Sequence, residues 1–202
     1  MERRVKMEKT TKERIKYAVL DLLKERTLDQ ITIKNIIEEA EVNRNTFYYY
    51  FDDIYALIDS MFEEGEEYLL GSSEDSKTYY EAYCNYYKKM LAYKEQMLNI
   101  YHSKARECLL ENERKLAMKF IRRFVLQKIG SRNVSEEEVE FITYFYSATF
   151  YMNMLYWLDY GMRGSAVELI TRTAESFEAS IDDMIFDARV HTERNLQKKK
   201  HI

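Results

Sequence analysis

The stretch Ile31-Thr-Ile-Lys-Asn-Ile-Ile-Glu-Glu-Ala-Glu-Val-Asn-Arg-Asn-Thr-Phe-Tyr-Tyr-Tyr-Phe-Asp-Asp-Ile-Tyr-Ala-Leu57 decides the fold. Thr32 can cap a helix through Ala40 that turns Ile33, Ile36 and Ile37 inward. Three residues later Asn43 can cap a second helix to about Phe51, with Phe47 and Phe51 one turn apart. Two short helices joined by three residues have the arithmetic of a helix-turn-helix. Upstream, Thr10 and Glu13 form a capping box, and Ile15, Val19, Leu22 and Leu23 recur at helical spacing to about Glu25. A polar break at Arg26 to Gln30 separates this first helix from the pair. Spacing alone also fits three plain amphipathic helices with core tyrosines.

Downstream, Asp52 and Asp53 can cap a fourth helix whose apolar face is Ile54, Leu57, Ile58, Met61 and Phe62, fading near Gly71. The Gly71 to Ser76 segment is the most loop-like in the chain and a candidate domain boundary. Helical patterns follow at 77–93, 95–129 with a break near Ser103, 135–160 and 165–187, two of them opened by the boxes Ser135 with Glu138 and Ser165 with Glu168. Zero prolines and five glycines in 202 residues leave little material for tight turns, so the expected fold is all-α. An apolar fraction of 46% excludes wholesale disorder, and no run of about 18 apolar residues is present to span a membrane. Met1 to Lys6 is followed by no apolar leader, which predicts a cytoplasmic protein. Cys84 and Cys108 are too few and too far apart for a disulfide framework, and are expected as reduced thiols.

The formal net charge is −4, yet residues 1–20 carry seven basic side chains against three acidic ones. A basic end on an acidic body is the asymmetry expected when one end meets a polyanion. Enzyme chemistry is poorly represented. His102 is the single histidine between residues 1 and 190, which denies a His-based triad or metal cluster. The run Glu63, Glu64, Glu66 and Glu67 reads as a solvated face, and there is no GxGxxG or Gly-Lys-Ser/Thr phosphate loop. The expectation is no catalytic residue, no metal and no cofactor.

On the second helix of the pair, Arg44, Asn45 and Tyr48 share the side opposite Phe47 and Phe51. Arg can donate two hydrogen bonds to guanine, Asn can pair bidentately with adenine, and the Thr46 methyl suits thymine. The phenols of Tyr48, Tyr49 and Tyr50 can reach phosphate oxygens, as can Lys34 beside the Thr32 cap. The candidate DNA-contacting set is therefore Thr32, Lys34, Asn43, Arg44, Asn45, Thr46, Tyr48, Tyr49 and Tyr50.

Ile31 to Leu57 resembles the signature of the TetR/AcrR family of bacterial transcriptional regulators. The matching elements are Thr32, Ala40 and Val42 around the turn, Thr46-Phe47-Tyr48, Tyr50-Phe51 and Leu57. Val42 to Tyr49 is similar to the subgroup reading Val-Asn-Arg-x-Thr-Phe-Tyr-Tyr. Three positions depart: Glu41 stands where the family usually has a positive-φ glycine, Asn45 replaces a small residue, and Ile54 replaces a phosphate-gripping Lys. At Glu41 the substitution should cost about 1 kcal/mol.

The resemblance implies a helix-turn-helix domain at 1–52, a connecting helix at 53–71, a ligand-binding and dimerisation domain at 72–187 and a basic tail at 188–202. It implies a sequence-specific regulator, a repressor released by a small-molecule effector, bound as a homodimer to a near-palindromic double-stranded operator. The alternative is a helical ligand- or protein-binding module of the same fold without effector-controlled operator binding. Tyr83, Tyr87, Met90, Tyr101, Phe120, Phe124, Tyr144 and Tyr151 are the candidate effector contacts, because tyrosine offers an apolar face plus a hydroxyl. The 135–160 helix is apolar on most sides and so needs cover on two. Met152 and Leu155 on it, with Ile170, Phe177 and Ile181 on the next helix, are the candidate dimer contacts.

Overall fold

The computed structural model describes residues 10–74, 78–163 and 166–199. Among these, regular structure is helical: α1 (Thr11–Leu22), a 3₁₀ turn (Leu28–Gln30), α2 (Ile33–Glu39), α3 (Arg44–Tyr50), α4 (Ile54–Glu74), α5 (Tyr79–Ala92), α6 (Lys94–Tyr101), α7 (Arg106–Ile129), α8 (Glu136–Asp159) and α9 (Ala166–Lys199). The chain divides into two compact units. The head comprises residues up to Gly65 with Tyr93–Leu109, and the body comprises Glu66–Ala92 with the chain from Leu110 onward.

In the head, the reciprocal Thr10–Glu13 box opens α1. Thr32 opens α2 with Asn35 as its reciprocal partner. Ile15, Val19, Leu23, Ile36, Phe47 and Leu57 are fully buried together. Lys16 is buried too, and its ammonium is satisfied by the Ser60 hydroxyl at 2.7 Å, the Ser60 carbonyl at 3.3 Å and Glu64 at 2.5 Å. A buried charge is tolerable only when so paired, and these bonds tie α1 to α4. The α6 segment packs here through Asn99, which donates to the Leu23 carbonyl at 2.8 Å, and the Lys104 N–H, which donates to the Asp29 carboxylate at 3.1 Å.

In the body, α5 and α8 pack on α9. The Tyr79 ring lies 4.3 Å from Phe177, Tyr83 lies 4.8 Å from Phe150, and Tyr87 lies 4.9 Å from Trp157. Such aromatic pairs contribute about 0.5–1.5 kcal/mol each beyond their burial. Ser135 caps α8 by accepting the Glu138 N–H, but the reciprocal half of the expected box does not form, because the Ser135 N–H donates to Thr192 instead; the Ser165 box lies outside the described residues.

Two helices outrun their sequence reading. The α4 helix continues past Gly71 to Glu74, because Arg123 donates to the Leu70 carbonyl at 2.7 Å and Lys119 pairs with Glu66. The α9 helix continues to Lys199 through the expected tail. There Ala188 and Thr192 stay buried, and Thr192 accepts the Ser135 N–H at 2.9 Å.

Candidate nucleic-acid interface

The turn between α2 and α3 is built from Ala40, Glu41 and Val42. Glu41 has φ 51°, the left-handed conformation a glycine adopts without strain. Its N–H donates to the Glu38 carbonyl at 3.3 Å and the Val42 N–H donates to the Ile37 carbonyl at 3.0 Å, a Schellman closure of α2. Arg14 holds the turn from α1, donating to the Ala40 carbonyl at 2.5 Å and the Glu41 carbonyl at 3.0 Å. Asn43 then caps α3, its Oδ1 accepting the Thr46 N–H at 2.8 Å and the Thr46 hydroxyl at 3.0 Å.

These constraints fix how α3 presents its faces. Phe47 and Phe51 point into the core while Arg44, Asn45, Tyr48, Tyr49 and Tyr50 are exposed, Tyr49 at 80%. Arg44 lies over the Tyr48 ring, 5.5 Å from its centroid, and donates to the Tyr48 hydroxyl at 3.3 Å. This pre-orders a guanidinium and a phenol side by side on the open face. The Tyr49 and Tyr50 rings meet edge to face at 4.9 Å. Lys34 is exposed on α2, 3.8 Å from Glu38. Thr32 and Asn43 spend their side-chain oxygens on caps, so they position the helices rather than project from them.

The basic N-terminal segment is described only in part. Of its seven basic residues, Arg3, Arg4, Lys6 and Lys9 lie outside the described residues. Lys12 and Lys16 pair with Glu64, and Arg14 pairs with Glu41 while buttressing the turn. Three exposed head tyrosines escaped the sequence reading, Tyr17 on α1, Tyr55 on α4 and Tyr93 just before α6. The signal was available, since Tyr17 falls off the Ile15, Val19, Leu22 stripe.

The other candidate residues separate into several environments. Tyr83, Tyr87, Met90, Phe120 and Phe124 are buried in the body. Tyr101 is buried in the head, where Arg106 donates to its hydroxyl, so it does not join them. Tyr151 is half-buried, and Tyr144 is 66% exposed on α8. The dimer assignment needs correction. Ile170, Phe177 and Ile181 are at most 3% exposed, because α9 turns them onto α5 and α8, and they have no surface left for a partner. Met152 is exposed and Leu155 half-buried on the opposite side of α8, in an apolar stripe with Phe141, Phe145, Ala148 and Tyr156. Polar groups missed by sequence reading sit in the body core, among them Glu113 and the Trp157 indole N–H, which has no partner among the described residues.

Within the head, α1 to α3, with α3 capped and turned outward, have the helix-turn-helix arrangement of a DNA-binding protein. Residues 18–61 match the pattern of bacterial regulatory proteins, tetR family, and residues 74–179 match a transcriptional regulator C-terminal region of that family. The chain belongs to the tetR family and is a DNA-binding transcriptional regulator. It is 36% identical over 61 residues to the uncharacterized HTH-type transcriptional regulator YxbF of Bacillus subtilis (strain 168), a match spanning 30% of this chain and 16% of that protein's length. Among solved structures it is similar in fold to the dihydroxyacetone kinase operon activator DhaS, at TM-score 0.65 and 21% identity over 85% of this chain and 96% of that one. A putative TetR-family regulator from Syntrophomonas wolfei aligns at TM-score 0.57 and 20% identity, over 85% and 94% respectively.

Proposed function

We propose that this chain works in the cytoplasm as a homodimeric repressor, reading a near-palindromic operator with α3 and leaving it when a small molecule enters the body. The observation that carries the reading is the division of α3, with Phe47 and Phe51 buried and Arg44, Asn45 and Tyr48 outward. Arg44 and Asn45 carry the donor patterns that discriminate guanine and adenine in the major groove, while Lys34, Tyr49 and Tyr50 reach phosphates. Tyr55 supports a phosphate contact at the start of α4, where Ile54 offers none.

Dimerisation is supported by the apolar stripe of α8. Phe141, Tyr144, Phe145, Met152 and Tyr156 are each more than half exposed, more contiguous apolar surface than a lone chain ordinarily leaves to water. The effector site we assign to the rings of α5, α7 and α8 in the body. A ligand shifts the equilibrium only by its differential affinity for the DNA-bound and released states. DhaS is named an operon activator, so the sign of regulation is what an operator-fused reporter reads; repression is the expected result here.

Selection of bound duplexes from a random pool tests the proposal. It should return an inverted repeat with half-site centres about one helical turn, roughly 34–36 Å, or a multiple apart. Recovery of no preferred sequence would leave the helical module without operator binding as the reading.

A further inference from the structure

The aromatic core of the body encloses a carboxylate with no cation beside it. Glu113 on α7 is 5% exposed, and its Oε2 accepts a hydrogen bond from the Tyr86 hydroxyl of α5. Among the described residues no Lys, Arg or His pairs with it. The Tyr86 ring lies 5.1 Å from Phe150 and 5.5 Å from Tyr87, and Tyr87 in turn lies 4.9 Å from Trp157. The buried Trp157 Nε1–H has no acceptor among the described residues.

An isolated buried carboxylate is costly, and the cost is relieved by a proton or by a counter-ion. Burial pushes the Glu113 carboxyl up to about 7, so near neutrality a cation and a proton compete for it on similar terms. The surrounding rings present negative faces, which replace water around an organic cation but do nothing for an anion. One carboxylate among aromatics is also a poor metal site, since hard cations want several oxygen ligands.

We infer that the effector is an organic monocation on an apolar frame, its charged group pairing with Glu113 among Tyr86, Tyr87 and Phe150. The Trp157 indole N–H then offers a donor to an acceptor atom on the same molecule. This rests on the body being the effector site, as proposed above, and adds the sign of the ligand's charge.

The test uses the full chain with three probes sharing one ring: benzyltrimethylammonium, its uncharged carbon isostere neopentylbenzene, and phenylacetate. Thermal shift and calorimetry should show the cation binding tightest and releasing a fraction of a proton near pH 7. Glu113→Gln should weaken the cation by about tenfold or more and leave the hydrocarbon within about twofold. Tyr86→Phe removes the donor that holds the carboxyl down, so the pH above which the cation displaces the proton should be higher than in wild type. Equal cation affinity in wild type and Glu113→Gln, or tighter binding of the hydrocarbon or phenylacetate, overturns the inference while leaving the body as an effector site. Failure of all three probes to bind overturns both.

Discussion

Replacing Glu113 by Gln should change how the stability of the chain depends on pH. The carboxyl has an ordinary value of 4.5, which the unfolded chain keeps, and burial raises it to about 7 in the fold, with the Tyr86 hydroxyl pulling the other way. The folded state therefore holds the proton more tightly. Its contribution is fully present below about pH 4.5 and is lost as pH rises through about 7. The interval between the two values, at about 1.36 kcal/mol per pH unit, corresponds to roughly 3 kcal/mol, most of it lost between pH 5 and 8. Tyr86 and Tyr87, the titratable groups facing Glu113, are pushed further up by burial and stay neutral across this window. Urea denaturation of wild type and Glu113→Gln at pH 5 and pH 8, at one protein concentration, reads the effect, and taking the difference cancels the histidines. Wild type should lose about 2 to 3 kcal/mol relative to the variant on going to pH 8. Parallel behaviour within about 0.5 kcal/mol would refute the reasoning, because it would mean that the carboxyl ionises alike in both states.

Glu41→Gly should stabilise the head by about 1 kcal/mol, because it relieves a left-handed backbone at φ 51° and gives up only an exposed 3.7 Å pair with Arg14. A thermal midpoint that falls would contradict the strain argument. Phe145→Glu should yield monomers in sedimentation at micromolar concentration with the chain still folded, whereas Phe177→Glu should disrupt the fold itself, Phe177 being 1% exposed. A wild-type monomer under those conditions would remove the α8 interface and the inverted-repeat expectation with it.

The head was legible because its signals are local. Thr10, Thr32 and Asn43 cap the helices they were expected to cap. The left-handed backbone at Glu41 is where the missing glycine pointed. The body was less legible, for physical reasons. Since α8 is apolar on both sides, its period cannot say which stripe faces inward; contacts with α9 decide it, and they claim Ile170, Phe177 and Ile181 for the core. The break near Ser103 was readable, but the placing of Tyr101 depends on Asn99 reaching the Leu23 carbonyl 76 residues away. Glu113 sits in the charged run Glu111-Asn-Glu-Arg-Lys115, which reads as a solvated face; only the packing of α5 over it reveals a buried acid.

Base-by-base affinity on the selected operator tests the central claim, that α3 is the reading element. Anisotropy titrations of wild type, Arg44→Ala and Lys34→Ala against single-base variants should separate two behaviours. Arg44→Ala should cost about 1–3 kcal/mol at one base position in each half-site and relax the preference there. Lys34→Ala should weaken all sequences alike and reduce the salt slope by about one. If Arg44→Ala bound every variant as wild type does, α3 would not be reading the major groove.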